Sequence, residues 1–323
     1  MTSRISTRRE LFRQAATGAA VLATAQLASP VLIAAPALSP TPSVVPKVRY
    51  CLNTSTIRGQ KIPIADEIEL AAKAGYQAIE PWMNELNTFV SGGGNPADLR
   101  KRIADAGLTV ESAIGFAEWI VDDEARRTKG LEQARRDMDL VRQIGGTRIA
   151  APPAGATNQA DLNLKAAGER YAKLLDLGKE IGVIPQVEVW GFSACLNRLS
   201  ETVFVAAEAG HSQACILPDV YHLYKGGTSF DALKLLSGSA VQVFHMNDYP
   251  AEPLRPQIKD ADRVHCGMGI APLTEILRTL FANGFAGVLS LELFNPTYWQ
   301  QDAATVIKTG LEGMKAAVAK AAG

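Results

Sequence analysis

The chain is poor in several residues that would commit it to other chemistries. Only four cysteines occur and no two stand in C-x-x-C spacing, so neither a disulfide framework nor a thiolate zinc site is expected. Cys51 and Cys215 lie inside apolar runs, where a free thiol packs as a small hydrophobe. Neither sign of charge is in excess, with 33 Lys and Arg against 33 Asp and Glu. That balance leaves no electrostatic footprint for nucleic acid or an acidic membrane surface. No Gly-rich phosphate loop follows the first strand-like run, at residues 52–59, which argues against a doubly wound nucleotide-binding sheet. Apolar residues are plentiful at 47% of 323, enough to build a sizeable core.

The first 46 residues read as separate from the fold. Arg8 and Arg9, followed by Leu11-Phe12, form a basic twin-arginine-type head before the Ala-rich segment from Ala15 to Ala28. That segment is too weakly apolar for a good membrane span. Residues 1–37 are therefore expected to be an export signal directing the protein to the periplasm, and 38–46 a Pro-rich linker. Residues 47–323 are expected to form one domain.

Within that domain, strand and helix signals alternate eight times. Short apolar runs begin at Arg49, Ala78, Leu108, Thr147, Ile184, Ala214, Ala240 and Gly287. Helical stretches separate them, several stopped by the pattern Ala-Gly or Ile-Gly, because glycine accepts the left-handed conformation that ends a helix. Eight βα units in about 275 residues fit a (β/α)8 TIM barrel.

Four of these runs end on a polar residue of ligand type. Glu188, Asp219, His245 and Glu292 close the fifth, sixth, seventh and eighth runs. A parallel barrel carries its active site on the rim formed by the C-terminal strand ends, so four consecutive units bring these side chains to one side of the mouth. Two Glu, an Asp and a His make a mixed oxygen and nitrogen site for one divalent ion such as Mn²⁺, Mg²⁺, Co²⁺ or Zn²⁺. Trp82, Trp119, Trp190, Phe192 and Trp299 lie near strand ends and can serve either as a sugar-stacking wall or as core. Glu80 and His265 are further candidates for the substrate mouth, and Asp248 for orienting a ligand or anchoring its loop.

The barrel with Glu-Asp-His-Glu on its last four strands resembles the sugar phosphate isomerase/epimerase family, the xylose isomerase-like barrels. The matching stretches are Val187-Glu188-Val189, Asp219-Val220-Tyr221-His222, His245-Met246-Asn247-Asp248, Gly267-Met268-Gly269 and Leu291-Glu292-Leu293. They extend the resemblance from about residue 47 to the end. It implies that Glu188, Asp219, His245 and Glu292 hold one metal ion and that the two glutamates are the catalytic pair. It also implies substrate contacts from His222 and Arg263, beside Trp190, His265 and Glu80 as candidates from their positions. Relatives of this kind often pair, so a homo-oligomer is a further expectation. The match to endonuclease IV fails, because its three-zinc cluster needs histidines on early strands where this chain has Glu80 and Glu111.

The function expected is a metal-dependent isomerase or epimerase of a keto-sugar or hydroxy-ketone, moving a proton through an enediolate between two Glu bases. A lyase or dehydratase acting on a 3-keto-sugar, glycoside or inosose is the alternative enzyme. A non-catalytic sugar-binding barrel is the alternative of another class. The partner in each case is a small-molecule sugar.

Overall fold

A computed structural model describes residues 47–323; the export signal and linker expected at 1–46 lie outside the described residues. Eight short parallel strands alternate with helices: β1 (Arg49–Asn53), α1 (Ile64–Ala74), β2 (Ala78–Glu80), α2 (Met83–Ser91), α3 (Pro96–Asp105), β3 (Thr109–Val110), α4 (Glu124–Gln143), β4 (Arg148–Ala151), α5 (Leu164–Ile181), β5 (Ile184–Glu188), α6 (Leu199–Glu208), β6 (Ile216–Leu217), α7 (Val220–Lys225), β7 (Val243–Met246), α8 (Leu273–Ala282), β8 (Val288–Leu291) and α9 (Ala303–Ala322). The chain folds as an α/β TIM barrel, as the eightfold alternation requires. Among the described residues, no helix is long and apolar enough to cross a membrane.

The strands form two arcs, ordered β3-β2-β1-β8-β7 and β4-β5-β6. Backbone bonds join the arcs at both seams. Ala113 N–H donates to Arg148 O at 3.2 Å and Ala150 N–H to Ala113 O at 2.8 Å. On the other side Ile216 pairs with Val241 and Asp219 with His245. One apolar residue from each of seven of the eight units (Cys51, Ala78, Ile114, Ala150, Leu217, Val243 and Val288, with none from β5) packs as a separate cluster, the filling expected of a barrel interior. The larger core lies between strands and helices.

Local chemistry sets the helix ends. Asn95, Asp123 and Asn163 cap α3, α4 and α5 by accepting backbone N–H bonds. Gly75 and Gly182 close α1 and α5 at φ 93° and 89°, a region that side chains with a Cβ avoid.

Four elements differ from expectation. The third strand, expected from Leu108 to Phe116, shrinks to Thr109–Val110 because the chain beyond it bonds across to β4 and to Trp82 without a regular ladder. The expected helix after the sixth strand, Phe230 to Leu236, is a 3-10 turn over Phe230–Leu235. The sequence pattern also missed α2 and α7. The latter starts at once after Asp219, whose Oδ1 accepts the His222 N–H at 2.6 Å as its cap.

Candidate metal centre and substrate cavity

Glu188 is the last residue of β5, His245 lies within β7, and Asp219 and Glu292 stand two residues and one residue past β6 and β8. The ladder carries past the strand ends: Asp219 bridges to His245, and Glu292 N–H donates to Met246 O at 3.1 Å. As a result, one ligand atom from each of Asp219, His245 and Glu292 lies within 4.8 Å of the other two. All three are buried. Glu188 stands beside this triad on the wall of the same cavity, with its Oε2 buried and unpartnered.

The three members of the triad are held from behind. His245 Nε2 lies 3.0 Å from Glu80 Oε2, and that oxygen also accepts from Asn53 Nδ2 at 2.9 Å and Ser290 Oγ at 2.7 Å. Glu80 is thus not in the cavity, where the sequence reading expected it. Its side chain is wholly buried behind His245, in the position of the carboxylate that orients a ligating imidazole. Asn53 Nδ2 also reaches Glu292 Oε1 at 3.2 Å, while its Oδ1 accepts from Trp82 Nε1 at 2.8 Å. Asn247 donates to Asp219 Oδ2 at 2.8 Å.

Arg263 carries the balancing charge. Its Nη1 contacts Asp219 Oδ2 at 3.0 Å and Glu292 Oε2 at 2.8 Å, and its Nη2 contacts Asp260 Oδ1 at 2.5 Å. The guanidinium lies over Tyr221, 4.4 Å from the ring centroid. His222 Nδ1 accepts from Gly191 N–H at 3.3 Å, and its Nε2 lies 3.0 Å from Arg263 Nη2. Burial and the neighbouring arginine both depress the His222 pKa, so the ring is neutral.

The two glutamates are driven apart. Burial and the charge of Glu292 raise the pKa of Glu188. Burial acts on Glu292 in the same sense, but His245 and Arg263 overcome it and hold Glu292 ionised. Neighbouring carboxyls of opposite protonation preference are the usual mark of an acid–base pair.

Above these groups opens a cavity of about 410 Å³, lined by Trp82, Phe116, Trp190, Phe192, Phe294 and Trp299 together with Glu188, His222, Asp260, Arg263 and Glu292. Of the aromatic candidates, Trp119 is elsewhere: it is buried, and its indole N–H bonds Pro152 O at 2.9 Å. His265 is likewise off the wall, stacked on Tyr298 at 4.2 Å between ring centroids, and burial pushes its pKa down to about 4. Asp248 anchors its loop, accepting the N–H groups of Tyr249, Gly267, Gly269 and Ala271. The sequence reading passed over Asn53, Phe294 and Asp260. Asn53 ends β1 as Glu188 ends β5, so the strand-end rule could have found it.

A profile of the xylose isomerase-like TIM barrels matches residues 68–317. The chain belongs to that family. Inosose isomerase of Bacillus velezensis is 25% identical over 278 residues, covering 84% of this chain and 98% of the relative. 3-Dehydroshikimate dehydratase of Pseudomonas putida is 24% identical over 241 residues, 72% of this chain but 36% of that longer protein. Among solved structures, the IolI protein with a bound zinc atom superposes with a TM-score of 0.78 at 21% identity, covering 84% of this chain and 99% of the other. That likeness bears on the fold.

Proposed function

We propose that the chain is a divalent-metal-dependent isomerase or epimerase of a keto-sugar or related hydroxy-ketone. The observation that carries this reading is one cavity with Glu188 and Glu292 on its wall and the Asp219–His245–Glu292 triad at its edge. The donor set fits a divalent ion. It combines three carboxylates with an imidazole, and both His245 Nδ1 and Glu188 Oε2 are buried without a hydrogen-bond partner. Asp219, His245, Glu292 and Glu188 would hold the ion; Mn²⁺, Mg²⁺, Co²⁺ and Zn²⁺ all suit them. When bound, it would act as a Lewis acid toward a substrate carbonyl, favouring loss of the adjacent proton.

The rest falls to the protein. One glutamate removes the proton beside the carbonyl, leaving an enediolate, and the other returns a proton. Delivery to the opposite face epimerises the carbon; delivery to its neighbour interconverts aldose and ketose. Positioned acid–base catalysis of this kind contributes roughly 10²–10⁴-fold. Arg263 lies at the inner end of the cavity beside His222, where its positive charge favours the oxyanion that forms when the proton leaves. The aromatic rings exclude water from the transfer.

Exchange of a substrate C–H for deuterium in D₂O, followed by NMR on candidate keto-sugars with the metal-loaded protein, tests the reading. Exchange that disappears in both Glu188→Gln and Glu292→Gln supports it; near-normal exchange in either variant refutes the two-base scheme. Homology to a dehydratase supports a second reading, in which proton removal is followed by departure of a β-leaving group. An unsaturated keto product absorbing in the near ultraviolet distinguishes it. Export through the twin-arginine-type segment belongs to the same proposal, and it favours unphosphorylated sugars as substrates.

A further inference from the structure

The cavity has two unlike parts. Its charged and polar side chains gather around Glu188, Glu292, His222 and Arg263, and the remainder of the wall is apolar, most of it aromatic rings. Phe294 lies 5.8 Å from Trp82, Trp82 lies 5.1 Å from Phe116, and Phe116 lies 6.0 Å from Trp190. Trp190 then lies 5.1 Å from Phe192, at 32° between planes. These are the separations of packed aromatic pairs, so the rings form one continuous arc.

The arc offers little to hydroxyl groups. The Trp82 N–H is taken by Asn53 Oδ1 at 2.8 Å and the Trp299 N–H by Ser55 O at 3.2 Å. These two indoles give a sugar's hydroxyls no hydrogen bond, so a sugar gains only C–H contacts along this part of the wall. A flat apolar group needs no hydrogen bond there.

Phe192 ends the arc, its ring 5.7 Å from that of His222, and is 48% exposed. It is nevertheless held firmly. Ser193 N–H bonds Trp190 O at 2.9 Å and Ala194 N–H bonds Thr157 O at 2.7 Å, closing the turn on both sides. The backbone at Gly191 lies so close to α7 that a Cβ there would sit 2.3 Å from His222 O. The phenyl ring therefore stands exposed on a fixed turn, a preorganised surface that loses little freedom when covered.

We propose, resting on the keto-sugar reading above, that the substrate has two parts: a cyclic hydroxy-ketone and, joined to it, a flat apolar ring that stacks on Trp190 and Phe192. The ketone end takes the polar groups and the second ring takes the lip. A cavity of about 410 Å³ lies within the range that holds ligands larger than a single small ring. The specificity-determining residue of this pair is Phe192.

The test compares phenyl and methyl glycosides of one keto-hexose. Binding is followed by tryptophan fluorescence and reaction by deuterium exchange, both with the metal-loaded full chain. The phenyl compound should bind roughly tenfold tighter than the methyl one, as one stacked aromatic contact provides. That ratio should collapse toward one in Phe192→Ala and persist in Phe192→Tyr, which keeps the ring. Equal affinities in the unaltered protein overturn the inference, as does a ratio that survives in Phe192→Ala. So does dissociation of a dimer on Phe192→Ala with the ratio intact, which would assign the ring to a second copy of the chain. Failure of the underlying reading looks different: neither glycoside exchanges deuterium, whatever their relative affinities. Exchange of both with equal affinity overturns the second-ring inference alone.

Discussion

Nε2 of His245 lies 3.0 Å from Oε2 of Glu80, with both side chains wholly buried. A carboxylate at that nitrogen favours the tautomer that donates from Nε2. Without an ion the ring is cationic, because Glu292 and Glu80 raise its pKa against the effect of burial; with an ion bound, Nδ1, 3.3 Å from Glu292 Oε2, would turn its lone pair to the metal. Glu80 therefore determines whether His245 can act as a metal ligand. Glu80→Gln keeps the shape and removes the charge, and should weaken divalent-ion affinity about 10–100-fold. Calorimetric metal titration measures this, and unchanged affinity would dissociate Glu80 from the metal centre.

Metal removal should also destabilise the fold. Asp219, Glu188 and Glu292 converge with little beyond Arg263 and His245 to offset them. An ion present at 100 times its dissociation constant stabilises by about 2.7 kcal/mol, or about 5 °C in Tm for a domain of this size. A thermal melt with and without chelator should show a fall of that order, reversed by adding the ion back.

The two glutamates predict different losses. Glu188→Gln should lower turnover by about 10²-fold or more and weaken metal affinity less than loss of a triad member does, since Glu188 is the outlying ligand of the four. Glu292→Gln should lower both, because Glu292 is a member of the triad and also contacts Arg263 and Asn53. Parallel kinetic and metal-binding measurements separate the two patterns.

A pH dependence of stability should arise away from the site. Burial, with Glu85 adding to it, raises the Glu67 carboxyl from 4.5 to about 9. A carboxyl whose folded pKa is raised holds its proton in the fold after the unfolded chain has lost it. Its stabilising contribution is whole below about pH 4.5 and is lost as pH climbs to about 9. Glu67→Gln should flatten the fall in denaturation midpoint between pH 6 and 8, with a limit of about 1.4 kcal/mol per pH unit. A fall of equal steepness in the variant would assign the pH dependence to other groups.

Asp248 should matter for stability more than for chemistry. Its two oxygens accept four backbone N–H groups, from Tyr249, Gly267, Gly269 and Ala271. Asp248→Ala leaves them without a partner and should cost about 2 kcal/mol or more. The expected signs are a lower Tm and faster proteolysis within residues 249–271. A protease-resistant variant with wild-type Tm would show that the loop is held by other contacts.

The sequence by itself determined the barrel and which polar residues stand together at its rim. Parallel strands buried on both faces must be apolar along their length, so the polar residue that ends each run stands out: Glu188, Asp219, His245, Glu292. One βα unit separates neighbours, and that spacing carries their proximity. What it did not determine is which polar residue faces the cavity and which faces another side chain. Glu80 and Glu188 look alike as strand-end acids, yet one lies behind His245 and the other lines the cavity. Trp119 and Trp190 look alike as aromatic residues near strand ends, yet only Trp190 reaches the wall. Those distinctions depend on which way a few side chains turn, and the turns are set by partners far along the chain. Asn53 alone links Glu80, Trp82 and Glu292, and only the closed barrel brings those four together.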